Sequence, residues 1–240
     1  MVEWEEMSMM IGEDASFWHQ KGQKRSMSVL NKFKKQTTVD CYCLVCFKSI
    51  RKTDKANLLL VNDVLCNKCR NSLEYRPITI ALKDFKVRGL YCYQGIVRDL
   101  ILQYKEKNDE ALAYCFLYPY IKQLKNKYKG YYLVEVASSD KKIKERGFHH
   151  VKKIFSILDL PFLDVIKKKS DFQQKKVHNR QIQNEFELVD NSIDLSNKKI
   201  LLVDDIITTS GSILACYNLL KGRCKRIEVL VLCYNKRFLL

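Results

Sequence analysis

Apolar and polar positions along this chain alternate between short strand-like runs and helical stripes. From Tyr91 the spacing is helical: Ile96, Leu100, Ile101 and Tyr104 share one face, with Arg98 and Lys105 off it. Asn108-Asp109 offers a cap for a second helix carrying Leu112, Cys115, Phe116 and Leu117; Pro119 either interrupts it or sits early in another helix. Tyr131 to Ala137 reads as a buried strand ending in the small-residue turn Ala137-Ser138-Ser139-Asp140. A basic loop is expected over Lys141 to Glu145, then Arg146-Gly147-Phe148, then a helix from His149 to Leu158 with Val151, Ile154, Phe155 and Leu158 inside. Past Pro161, Phe162 to Ile166 is a short strand. Ile200 to Val203 is an unbroken β-forming run, the pattern of a parallel strand covered on both faces. Ile213, Leu214, Tyr217 and Leu220 return to helical spacing, and Ile227 to Cys233 is the last strand. Residues 70 to 90 read as a link broken at Pro77. Residues 1 to 38 carry little pattern and read as a poorly defined extension.

The stretch from Lys198 to Leu220 holds the most chemistry. Asp204 and Asp205 stand at the carboxyl end of the predicted strand, followed by Thr208-Thr209-Ser210-Gly211-Ser212 and the start of a helix. Ligands of open α/β sheets bind beyond the carboxyl ends of strands. A small-residue loop lets backbone N–H groups close around a phosphate, and a helix N-terminus favours its charge. Two carboxylates beside a phosphate cradle make sense if they face vicinal sugar hydroxyls or a hydrated Mg²⁺. A sugar bearing both a phosphate and a diol fits that layout. The turn at Ser138 and Ser139 is a second place where backbone N–H groups could meet an anion, and Arg146 could add a bidentate contact to it. Lys105, Arg180 and Asn184 are further candidates; the last two are spaced to share a helix face.

Charge and cysteine content change the picture in two ways. The 240-residue chain carries a formal net charge of +16, long enough for one α/β domain and a small module. Residues 1 to 40 hold equal numbers of basic and acidic side chains, whereas 141 to 180 hold twelve Lys/Arg against four acids. That segment can serve a polyanion or a multiply charged phosphate, or be a solvated lysine-rich surface. There are ten cysteines. Glu3, Glu5 and Glu6 leave no apolar signal region at the start, and no apolar run approaches membrane-spanning length, so a reducing cytoplasmic setting without membrane insertion is expected. Clustered cysteines there read as metal ligands. Cys43 and Cys46, then nineteen residues, then Cys66 and Cys69 fit a tetrahedral structural Zn²⁺ site in a knuckle or ribbon over 39–75.

Val203-Asp204-Asp205-Ile206-Ile207-Thr208-Thr209-Ser210-Gly211-Ser212 resembles the ribose-5-phosphate loop of type I phosphoribosyltransferases, which use 5-phosphoribosyl-1-pyrophosphate (PRPP). Ser210 stands where glycine is usual. Adding the paired cysteines, Arg146-Gly147-Phe148, and Gln174, Arg180, Asn184 and Phe186 in order, the chain is similar to the ComF/ComFC competence family from about Cys43 to Cys233. It departs at Ala137-Ser138, where the family tends to have proline, and at His149-His150, where it tends to have Asn-Gln. The resemblance implies an α/β fold: a mainly parallel sheet flanked by helices over 76–240, preceded by the cysteine module. It implies that Asp204 and Asp205 hold ribose hydroxyls, Thr208 to Ser212 the 5-phosphate, and Ser138, Ser139 and Arg146 the pyrophosphate of Mg²⁺-PRPP. It further implies a role in natural transformation, on incoming single-stranded DNA beside a ComFA-type helicase-like ATPase. An active phosphoribosyltransferase of nucleotide metabolism and a PRPP-sensing nucleic-acid-binding regulator are the alternatives.

Overall fold

The structure, a computed structural model, describes residues 41–50, 64–82, 84–169, 185–189 and 193–239. The extension 1–38, the segment 51–63 between the cysteine pairs, and Gln174, Arg180 and Asn184 lie outside the described residues. Strands β1 (Cys41–Tyr42) and β2 (Ser49–Ile50) pair antiparallel, and helix α1 (Asn67–Ser72) follows. Next come a hairpin of β3 (Tyr75–Leu82) and β4 (Phe85–Cys92), then helices α2 (Gly95–Glu106), α3 (Ala113–Leu117) and α4 (Ile121–Lys127). Strand β5 (Tyr131–Glu135) leads into α5 (Asp140–Arg146) and α6 (His150–Phe155). A small antiparallel pair, β6 (Ile166–Lys168) and β7 (Phe186–Leu188), precedes β8 (Lys199–Ile207), α7 (Gly211–Leu220) and β9 (Arg226–Tyr234).

The main sheet has the order β3-β4-β9-β8-β5; β3 is antiparallel to β4, and the other neighbours are parallel. Helices cover both faces. Leu201 and Val203 of β8 pack with Val97, Ile101, Phe116 and Ile154 of the helices α2, α3 and α6. Ile200 and Leu202 pack with Ile213, Cys216 and Leu220 of α7 on the other face. This double burial is why β8 reads as an almost continuous apolar run. Buried tyrosine hydroxyls are satisfied by carbonyls across the layers: Tyr91 donates to Phe116 and Tyr104 to His150, both at 2.7 Å. These tyrosines are packing residues with polar anchors.

Four elements differ from the sequence expectation. Residues 75–92 form a hairpin, not a link. Pro77 lies in β3, an edge strand, where the ladder shifts register between Tyr75 and Ile78, so its missing N–H is tolerated. Residues 140–146 form a helix, not a loop. It has no buried residue and so no apolar stripe to read, but Asp140 stands in its first turn and Lys144 and Arg146 in its last. Gly147, at φ 84°, closes it with its N–H on the Ile143 carbonyl. The strand β8 also runs past Val203 through both acids to Ile207, because β9 continues beside it as far as Tyr234. The short strand expected at 162–166 lies later, at β6; residues 161–163 instead bond to the free edge of β5 through Leu133.

Candidate functional site

The alternation of side chains along β8 sets the geometry of the acid pair. Asp204 follows Leu202 toward α7, where its charge acts with burial to push the Cys216 thiol up. Asp205 follows Val203 toward the opposite layer and meets α2 and α6. On the side of β5 the ladder ends at Glu135 opposite Val203, and Val136 N–H reaches the Val203 carbonyl. The acids therefore stand beyond the end of β5, beside the turn Ala137–Ser139. The Ala137 backbone N–H also reaches the Cys216 sulfur, which brings this turn against α7.

Asp205 is 6% exposed, and its Oδ2 meets two cationic or potentially cationic groups: Lys105 Nζ at 2.5 Å and His150 Nε2 at 2.9 Å. Burial alone would raise its pKa; the close approach of His150 and Lys105 outweighs it and holds the carboxyl below the usual carboxylate range. Asp204 is half-buried and accepts the Asp205 backbone N–H on Oδ1 at 2.8 Å. Desolvation, then the charge of Asp205, push its pKa well above the ordinary value. The surroundings thus shift the adjacent carboxyls in opposite directions, Asp205 down and Asp204 up.

Beyond the acids, Thr208 and Thr209 are exposed, and Ser210, Gly211 and Ser212 are half-buried at the start of α7. Ser210 is the residue before the first turn of α7 and makes no side-chain capping bond. A ten-residue helix with an uncapped N-terminus and adjacent hydroxyls presents donors where an anion would be stabilised. Ser138 and Ser139 are half-buried in the facing turn, and Ser139 likewise makes no capping bond to α5.

At the other end of the described chain, Cys43, Cys46, Cys66 and Cys69 bring their sulfurs within 4.8 Å of one another. The Cys46–Cys66 separation is 3.7 Å. Thiolates bound at about 2.3 Å around a tetrahedral metal stand about 3.8 Å apart, so the cluster is already of zinc size. Cys43 and Cys46 lie on a turn closed by Phe47 N–H on the Cys43 carbonyl, with Phe47 at φ 56°. Cys66 caps α1 and Cys69 lies within it. Burial raises the Cys43 pKa, but the backbone N–H groups of Cys66, Cys46 and Val45 bring it to about 7, which favours the thiolate a metal needs. Four soft donors so placed could hold a metal ion, and the residues present fit Zn²⁺. Cys43, Leu65, Cys69 and Leu73 belong to the same buried cluster as Leu90 and Phe116, so the knuckle is continuous with the main core.

The phosphoribosyl transferase domain model matches residues 143–237, from within α5 to just past β9. The competence protein ComFC of Streptococcus pneumoniae R6 is 26% identical over 197 residues, covering 71% of this chain and 89% of that protein. The chain is similar to the ComF/ComFC family and has a type I phosphoribosyltransferase fold. Solved structures similar to this chain include a hypoxanthine phosphoribosyltransferase from Staphylococcus aureus, at 16% identity and TM-score 0.36, covering 55% of this chain and 66% of that one. An adenine phosphoribosyltransferase aligns at 14% identity and TM-score 0.41, covering 70% of this chain and 91% of that one.

The residues singled out from sequence fall into two groups. Asp204, Asp205, the loop 208–212 and the turn at Ser138 and Ser139 all lie at or beyond the carboxyl ends of β8 and β5. Lys105, expected to be exposed, is instead committed to Asp205, with its side chain 20% exposed. Arg146 donates through Nε to the Lys105 carbonyl at 3.1 Å and through Nη1 to His150 Nδ1 at 2.8 Å. Two lysines of the basic segment, Lys167 and Lys168, pair with Glu187 and Glu185 at 3.1 and 3.2 Å. Two participants went unread. His150 lies four residues after Arg146 and on the same stripe as Ile154; a polar residue on a buried stripe must have a partner, and that was its signal. Glu135, at the end of β5, is met by His149 at 3.1 Å, with no signal in the sequence beyond its place at a strand end. Among the described residues, no helix is long and apolar enough to cross a membrane.

Proposed function

We propose that this chain is a ComF-type competence protein whose phosphoribosyltransferase-like domain binds PRPP or a related phosphosugar and acts in natural transformation. One observation carries the reading: an acid pair at the carboxyl end of a central parallel strand, followed directly by a small-residue loop and an uncapped helix N-terminus. Thr208 to Ser212 would receive the 5-phosphate, and Asp204 and Asp205 the ribose hydroxyls. Ser138 and Ser139 would face the pyrophosphate; Mg²⁺ would accompany the ligand. Arg146 faces Lys105 and His150, so its part would be to support the acids. If the chain turns PRPP over, an acceptor nucleophile bonds to C1′ as pyrophosphate leaves. Catalysis would then come from positioning and charge stabilisation. Zn²⁺ on the four cysteines would hold the knuckle, and the protein would work in the cytoplasm on single-stranded DNA beside a ComFA-type ATPase.

The test is complementation. A deletion strain is supplied with wild type, Asp204→Ala or Cys43→Ser, and transformation frequency is measured. Loss of transformation with Asp204→Ala at normal protein levels supports the reading. Full transformation by a variant that no longer binds PRPP contradicts it, and PRPP binding without any transformation defect on deletion points to an enzyme of nucleotide metabolism.

A further inference from the structure

Asp205, Lys105, Arg146 and His150 form a closed ring. Lys105 Nζ and His150 Nε2 both meet Asp205 Oδ2; Arg146 Nε meets the Lys105 carbonyl, and Arg146 Nη1 meets His150 Nδ1. The four residues come from the end of α2, the end of α5, the start of α6 and the carboxyl end of β8. A guanidinium has donors only, so His150 Nδ1 is the acceptor of that bond, which leaves the ring proton of a neutral imidazole on Nε2, 2.9 Å from Asp205 Oδ2; the approach is an ion-pair contact without full hydrogen-bond alignment. Tyr104, adjacent to Lys105 on α2, donates its hydroxyl to the His150 carbonyl at 2.7 Å and fixes the helix that carries the ring. His150 is 5% exposed, so this geometry is held away from solvent. Among the described residues, Asp204 on the opposite layer, Tyr104 and Cys233 also feel the charge of Asp205. Burial first, and then the charge of Asp205, raise the pKa values of Tyr104 and Cys233, as a fixed anion there requires.

We propose that Lys105 and His150 are positioning residues that bind one oxygen of Asp205 inside the protein and leave the other for a ligand hydroxyl, with Arg146 selecting the His150 tautomer the arrangement needs. The identity of that hydroxyl as a ribose hydroxyl rests on the phosphosugar reading; the ring itself does not. It gives a role to His150, a buried polar side chain at the start of α6. A glutamine amide reaches as far as the imidazole Nε2, and an asparagine falls one methylene short.

The experiment follows the Asp205 side-chain carboxyl by ¹³C NMR across the acid range in wild type, Lys105→Met, Arg146→Ala, His150→Asn and His150→Gln, with PRPP titrations of the same proteins. Wild type and His150→Gln should keep Asp205 ionised to lower pH than an ordinary aspartate. His150→Asn, Lys105→Met and Arg146→Ala should move its titration upward, the last without touching the carboxyl. PRPP affinity should fall at least about tenfold in His150→Asn, the scale of one charge-assisted hydrogen bond, and recover in His150→Gln. Because the Asn and Gln variants differ by one methylene, a general folding defect would affect both alike. An unchanged Asp205 titration in His150→Asn and Lys105→Met overturns the proposal. So does unchanged PRPP affinity in variants whose carboxyl has shifted. A wild type that binds no PRPP, but whose Asp205 responds to the variants as described, establishes the ring and refutes the phosphosugar reading instead.

Discussion

Gly89 lies inside β4, paired with Val231 of β9, and a Cβ placed on it would stand 2.6 Å from Cδ1 of Tyr234 and 3.3 Å from its Cβ and Cγ. Ordinary contact needs about 3.4 Å or more, so Gly89→Ala forces the ring to move by nearly an ångström. The ring has nowhere to go. Tyr234 is fully buried, its hydroxyl donates to the Arg76 carbonyl at 2.7 Å, and its own carbonyl accepts the Tyr93 N–H at 2.8 Å. Overpacking a tight core costs about 1–3 kcal/mol, and loss of the Arg76 bond would bring this case to the top of that range, about 3 kcal/mol. For a domain of this size that lowers Tm by roughly 6–12 °C. Tyr234 also pairs with Ile207, the last residue of β8 before the loop 208–212, so the same change should loosen that loop. The assay is a double-mutant cycle read by thermal melting. In a Tyr234→Ala background the clash is gone, and Gly89→Ala should cost less than about 0.5 kcal/mol, or stabilise by lowering the entropy of the unfolded chain. An equal cost in both backgrounds would refute the steric argument.

Four further outcomes follow from the same structure. Asp204→Asn should raise Tm at neutral pH: its folded pKa is raised, so its contribution is favourable below the ordinary aspartate range and is lost as pH rises through the folded value. The gain should shrink on acidification, and a lower Tm at every pH would contradict it. Asp205→Asn should do the opposite, because a depressed folded pKa gives stability that is present above about pH 4 and fades below it; melts at pH 7 and pH 3 decide. Cys43→Ser should lose the bound zinc and lower Tm, measured by elemental analysis beside calorimetry, and an unchanged metal content would remove the site. Tyr91→Phe strands the Phe116 carbonyl and should cost about 1–2 kcal/mol in urea unfolding; no change in midpoint would show that water replaces the hydroxyl.

Much of this architecture is legible wherever burial imposes a period. α2 and α7 were readable because their apolar positions repeat at 3.6 residues, β8 and β9 because burial on both faces makes them near-continuous apolar runs, and the cysteine pairs because metal chemistry fixes their spacing. α5 was missed because it buries nothing, and β3 because an edge strand with exposed faces and a proline carries no run. The loop after the acids could be read as a phosphate cradle from small residues alone. That the acids face opposite layers needs the strand to continue past Val203, and only pairing with β9 shows this. The ring around Asp205 joins residues far apart in sequence, Lys105, Arg146 and His150, so no local spacing could announce it.

The central claim is that the end of β8 and the start of α7 bind a phosphosugar, and a thermal-shift titration with PRPP and Mg²⁺ tests it most directly. Zinc-loaded wild type is compared with Asp204→Ala, which leaves Asp205 and its partners in place. At a hundredfold excess over its dissociation constant a ligand stabilises by about 2.7 kcal/mol, a rise of roughly 5–11 °C for this size. The account predicts that rise in wild type and its loss in Asp204→Ala. A folded wild type whose Tm does not move with millimolar PRPP would contradict it.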